Sequence, residues 1–177
     1  MAIEAHEKDP LKGALIGYFG YVESIENGAT DAYLLVLNGM GEPVEFNHTR
    51  AQRPSLIYWN DLELRRAMVR KLLVGLLGSL ISSPRLLFVR ADQIPAGILG
   101  RQIDLGGVPW VRVGDSPLTT DADQEQPLSF DLHFAVERSA TAEDLEVLDL
   151  IRQTANQLEP FSRAERTLSE LVARKAD

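Results

Sequence analysis

The sequence predicts an α+β fold: a mixed or antiparallel sheet that opens in the order β-β-β-α-β, a long amphipathic helix, and a C-terminal helical hairpin. Three observations predict it. Short segments rich in β-branched and aromatic residues, broken by glycine turns, fill the chain as far as Thr49. A long stretch with apolar residues at helical spacing follows Asn60. Two further apolar stripes, each preceded by a capping signal, close the chain.

Taken in order, ALIGYFGYVESI reads as the first strand, because β-branched and aromatic residues recur without helical spacing. An apolar run from Ala32 to Leu37, a turn of Asn38, Gly39, Met40 and Gly41, and the alternating Val44 and Phe46 spell a β-hairpin. From about Asn60 to Ser82, Leu62, Met68, Leu72, Leu73, Leu76, Leu77 and Leu80 fall near a 3.6 period, while Arg65, Arg66 and Arg70 lie mostly off that stripe. Asp61 and Glu63 suit the positive end of the helix dipole. LLFVR after Pro84 is a short strand expected to return beside the hairpin. Ile98 to Leu105 and Val108 to Val113 are further extended pieces joined through Gly106 and Gly107. Residues 114–127 hold two prolines and four acids with almost nothing to bury, so an acidic loop or linker is expected there. Leu128 to Glu137 then alternates strictly between apolar and polar. Thr141 with Asp144 approximates a capping box for the next helix, Pro160 is expected to stop it, and Ser162 with Glu165 to open the last one. The division is an α/β sheet domain over 11–115, and a strand with a helical hairpin over 128–177 that can join the same core.

Composition narrows the chemistry. Hydrophobic residues make up 45% of the 177 and charged residues 25%, the balance of a folded chain. The absence of Cys excludes disulfides, zinc–thiolate sites and thiol nucleophiles. The N-terminus MAIEAHEKDP lacks the basic and apolar run of a signal peptide, and the apolar stretch Leu72–Ile81 falls short of the ~20 residues that span a bilayer, so a cytoplasmic protein without membrane contact is expected. The formal charge of -8 is unevenly spread: residues 50–90 carry eight bases (Arg50, Arg53, Arg65, Arg66, Arg70, Lys71, Arg85, Arg90) against two acids, between acidic flanks.

No phosphate loop, dinucleotide turn, HExxH or GxSxG is present, and no cofactor is implied. Ser129, Asp131 and His133 share one face of the alternating strand. Neighbouring positions there stand about 6.5–7 Å apart, too far to make a nucleophile–base pair by spacing alone. His48, beside Asn47 and Thr49, reads as a hydrogen-bonded turn residue.

The β-β-β-α-β order is similar to the opening of ribonuclease H-like folds, in which an acid on the first strand and one near the fourth hold divalent metal. The nearest counterparts are Glu23 or Glu26 and Asp92, yet Ile16 to Phe19, the centre of the first strand, holds no acid. Separately, LLVLNGMGEPVEFNHTRAQRP with SPRLLFVRADQI resembles a group of uncharacterised bacterial proteins over roughly residues 14–95. That resemblance implies a bacterial origin and the hairpin, and brings no catalytic residue with it.

The basic run has two readings: phosphate binding through Arg65, Arg66, Arg70 and Lys71, or pairing with the chain's own acidic helices or an acidic protein. The acidic flanks favour the second. With no reactive constellation, the sequence points to a non-catalytic binding or assembly subunit of an intracellular complex that docks on a protein partner or a second copy. The alternatives are a metal-dependent nuclease using Glu23, Glu26 and Asp92, or a degenerate ribonuclease H-like protein that binds nucleic acid through residues 50–90. A third is a small-molecule sensor whose pocket uses Tyr18, Tyr33, Tyr58 and Trp59.

Overall fold

Strands β1 (Leu15–Glu23) and β2 (Ala29–Asn38) are apolar along most of their length because both lie inside a sheet covered on two faces. The structure, a computed structural model, describes residues 11, 13–23, 28–52, 60–94, 107–114, 125–127, 133–136, 140–154 and 158–174. Its elements continue with β3 (Pro43–Gln52), α1 (Asp61–Ser79), β4 (Leu86–Arg90), β5 (Trp110–Gly114), β6 (Glu125–Pro127), β7 (His133–Val136), α2 (Ala142–Thr154) and α3 (Glu159–Arg174). The strands form one mixed sheet in the order β3-β2-β1-β4-β5-β7-β6. The α+β class and the β-β-β-α-β opening therefore stand as the sequence predicts.

The β2–β3 turn follows from Asn38. Its Oδ1 accepts the backbone N–H groups of Met40 at 3.0 Å and Glu42 at 2.9 Å, and Gly41 takes the positive φ of 81° that the turn needs. β1 pairs antiparallel with β2, and β4 and β5 then add parallel to it. The LLFVR strand thus lies against β1, on the side away from the hairpin, because the α1 crossover returns the chain in the direction of β1. Residues 125–127, expected in the acidic loop, form the short strand β6 on β7, since a ladder partner supplies hydrogen bonds that composition does not reveal. The extended piece expected over 98–105 lies outside the described residues.

Strand alternation splits the core in two. Phe19, Tyr21, Ala32, Leu34, Leu87, Val89 and Trp110 face α1, which buries Leu64, Met68, Val69, Leu72, Leu73 and Leu76 against them. Ile16, Tyr18, Tyr33, Leu35, Phe88 and Val111 face α2 and α3, which contribute Val147, Leu148, Ile151, Phe161, Ala164 and Leu168. Tyr18 anchors this second core, stacked on Phe88 and edge-on to Phe161, both at 5.3 Å between ring centroids.

Helix ends follow local chemistry. Asn60 caps α1 by accepting the Glu63 N–H at 2.8 Å. The helix ends at Ser79, short of Ser82, because the backbone N–H groups of Ile81 and Ser82 donate to the Glu45 carboxylate on β3 instead of to helix carbonyls. Thr141 and Asp144 form the expected capping box, Asp144 N donating to Thr141 Oγ1 at 3.2 Å and Thr141 N to Asp144 Oδ2 at 2.9 Å. The Ser162–Glu165 box does not form. Pro160 lies in the first turn of α3, where its missing N–H is one of the groups a helix start leaves unbonded anyway. Glu165 is thereby free to face the sheet.

Candidate functional site

β1, β4 and β5 run parallel, so their carboxyl ends open along one edge of the sheet, the place where folds with parallel strands usually hold ligands. On the α3 side of that edge, Gly20 of β1 stands directly opposite Tyr33 of β2. The Tyr33 ring leans over the glycine so closely that a Cβ there would lie 2.5 Å from Tyr33 Cζ. Its hydroxyl donates to Glu165 Oε1 at 3.4 Å, and Gln93 Nε2 reaches the same oxygen at 3.5 Å.

Arg90, the last residue of β4, ties this corner together. Its Nε and NH2 donate to the two oxygens of Asp92 at 3.0 and 2.6 Å, a fork matched to a carboxylate, and its NH1 donates to Glu165 Oε1 at 3.3 Å. The Gln93 N–H adds a bond of 2.9 Å to Asp92 Oδ1. Burial alone would raise the Asp92 carboxyl, but the Arg90 hydrogen bonds and charge outweigh it and hold the group below the usual carboxylate range. The same bonds raise the Arg90 guanidinium, and burial pushes the Tyr33 phenol well up, so both groups stay protonated.

On the α1 side, Tyr21 accepts Arg65 Nε at its hydroxyl at 3.1 Å and donates that hydroxyl to the Gln93 carbonyl at 2.8 Å, while Gln93 Oε1 accepts the Tyr21 N–H at 3.2 Å. A chain of polar contacts therefore crosses the sheet from α1 through Gln93 to α3. Beside it a cavity of about 350 Å³ is lined by Glu23, Asp61, Arg65 and the buried Leu64, Met68 and Leu72.

Among the expected site residues, Asp92 belongs to this edge and Glu23 is an exposed residue at the end of β1, on the cavity wall. Glu26 lies outside the described residues, as do Ser129, Asp131, Tyr58 and Trp59. Tyr18 and Tyr33 are packed in the core, not arrayed around a pocket, which removes the aromatic sensor site where it can be seen. His48 stacks on Phe46 at 6.5 Å between ring centroids. Sequence reasoning missed Gly20, Tyr33, Arg90, Gln93 and Glu165 as a group; the one local signal was the Arg90-x-Asp92 spacing.

The basic run divides. Arg50 pairs with Asp31, Arg85 with Glu143 and Asp144 of α2, and Arg90 with Asp92 and Glu165. Arg65, Arg66, Arg70 and Lys71 are all exposed on α1, and among the described residues none of the four forms an ion pair. Pairing with the chain's own acidic helices fails for these four because α2 and α3 lie across the sheet.

The architecture is similar to that of two solved structures. Endonuclease V from Streptomyces avermitilis matches with a TM-score of 0.62 at 13% identity, over 93% of this chain and 83% of that one. Endonuclease V from Bacillus subtilis matches with a TM-score of 0.58 at 10% identity, over the same shares. This chain shares their fold. No protein-family model matches the sequence, and no curated protein sequence matches it. The fold shared with these two endonucleases overturns the expected non-catalytic assembly subunit. Among the described residues no helix is long and apolar enough to cross a membrane.

A divalent metal, which the ribonuclease H-like resemblance implies, does not fit the residues of this edge. Gly20 and the Tyr33 ring stand on β1 and β2 where a first-strand acid would have to reach, Asp92 is committed to Arg90, and no group of three or more His, Asp or Glu among the described residues is placed to hold an ion.

Proposed function

We propose that this protein binds nucleic acid through the exposed basic face of α1, as a degenerate ribonuclease H-like protein. The observation that carries it is the set Arg66, Arg70 and Lys71: exposed, without an ion pair among the described residues, and on one helix beside Arg65 at the cavity rim. Uncompensated arginine and lysine on a surface release condensed counterions when they meet phosphates, which makes binding favourable and salt-dependent. The shared fold of two endonucleases supports a polynucleotide over an acidic protein as the anion.

The test is fluorescence anisotropy with labelled single- and double-stranded oligonucleotides between 50 and 200 mM salt, conditions over which phosphate-driven binding falls steeply. Replacing Arg66, Arg70 and Lys71 together by Ala should weaken binding and flatten the log–log salt slope by roughly 2 to 3, about 0.7 to 0.9 for each lost phosphate contact. No binding at low salt, or an unchanged slope in the triple variant, would overturn the proposal. Cleavage with added Mg²⁺ that disappears in Asp92→Ala would replace it with the metal-dependent nuclease.

A further inference from the structure

We propose that the Arg90 guanidinium is a built-in cation, occupying the position between the carboxylates of Asp92 and Glu165 that a divalent ion would take, so that this edge of the sheet works without metal. The inference goes beyond nucleic-acid binding and is tested on the free protein. Arg90 sends three N–H groups into two carboxylates from different parts of the fold, the turn just after β4 and the middle of α3. A divalent ion bridging two carboxylates from separate elements would do the same work of neutralising them and tying the elements together. One oxygen of each carboxylate is also crowded with donors, as in a guanidinium site and unlike a metal site. Glu165 Oε1 receives Arg90, Tyr33 and Gln93, and Asp92 Oδ1 receives both Arg90 and the Gln93 N–H. An incoming ion would have to displace those donors and the fixed positive charge together. Over Gly20 of β1, the Tyr33 hydroxyl from β2 crowds the space and turns a proton donor toward Glu165, where a coordination sphere would need an acceptor.

The competing account is an ordinary surface ion pair, since the Arg90 side chain is 31% exposed. The two differ in what removal of the arginine does. A plain ion pair leaves cation affinity unchanged, whereas a built-in cation leaves behind two convergent carboxylates that accept a replacement. The experiment uses the full chain, with Mn²⁺ followed by calorimetry and Tb³⁺ followed by luminescence sensitised through the nearby Tyr33. Wild type and Arg90→Lys, which keeps the charge, should show no saturable site. Arg90→Ala should acquire a single saturable site, at least roughly tenfold tighter than the nonspecific uptake of wild type, as two carboxylate ligands gain a vacancy to fill. Adding Asp92→Asn or Glu165→Gln to Arg90→Ala should abolish it. A wild-type protein that binds one Mn²⁺ and loses it on Asp92→Asn would overturn the inference, as would a folded Arg90→Ala that takes up no ion. Circular dichroism checks folding, and Arg90→Gln stands in should the alanine variant not fold, with the same two outcomes read from it.

Discussion

Replacing Gly20 by Ala puts a methyl group where the Tyr33 ring lies, and the cost can be worked out from the surroundings. The new Cβ would lie 2.5 Å from Tyr33 Cζ and 3.0 Å from Cε1, against an ordinary carbon contact of about 3.5–4.0 Å. The ring cannot swing aside: Tyr33 has no exposed surface, stacks on Phe46 with centroids 6.5 Å apart, and is hydrogen-bonded to Glu165. Overpacking a well-filled core costs about 1–3 kcal/mol, and a clash with a trapped ring belongs at the upper end, about 3 kcal/mol. At roughly 2–4 °C per kcal/mol for a chain of this size, the melting temperature should fall by about 6–12 °C. Thermal unfolding followed by circular dichroism reads this directly. The same substitution made on Tyr33→Ala should cost at least about 1 kcal/mol less than on wild type, because the obstructing ring is gone. A Gly20→Ala protein that melts within roughly 2 °C of wild type, less than 1 kcal/mol, would refute the close approach and with it the account of why no acid stands there.

Three further outcomes are expected. Asp144 has its pKa held below the usual range: burial pushes it up, but the Arg85 and Thr141 hydrogen bonds prevail. Its folded-state value lies below its unfolded one, so its stabilisation is present above about pH 4 and is lost as pH falls through the folded value. Asp144→Asn should therefore cost about 1–2 kcal/mol at pH 7 by calorimetry, with the gap to wild type narrowing below about pH 4; a gap constant with pH would contradict this. Glu45→Gln should cost about 1–2 kcal/mol and speed amide exchange at Ile81 and Ser82, whose N–H groups the carboxylate accepts at 3.1–3.2 Å. Phe161→Ala removes a ring with no exposed surface that sits edge-on to Tyr18, so the urea midpoint should report a loss of about 3–5 kcal/mol. A loss under about 1 kcal/mol would mean that α3 is not docked through it.

What the sequence disclosed and what it hid divide along the distance between interacting residues. The hairpin was legible because Asn38 and Gly41 write their turn in adjacent positions, and α1 because its apolar stripe repeats within one helix. The basic face was legible as charge, but its freedom from pairing was not, since that depends on the sheet standing between α1 and the other two helices. α3 was misread at its start because proline both ends helices and begins them, and only the course of the chain decides which. That misreading hid Glu165, which was assigned to a cap and instead reaches Arg90, 75 residues away. Gly20 lay unremarked within the first strand until the register set Tyr33 opposite it.

The sheet also acts as a partition of charge. α1 on one side carries four basic residues against two acids, whereas α2 on the other carries four acids and one arginine. The molecule as a whole is an anion, at a net charge of -8, and should drift away from any polyanion that meets it at random. Its dipole across the sheet selects the approach instead: collisions on the α2 side are turned away and those on the α1 side are drawn in. Encounter with a nucleic acid would then be slow but already oriented, and added salt would weaken the general repulsion together with the local attraction.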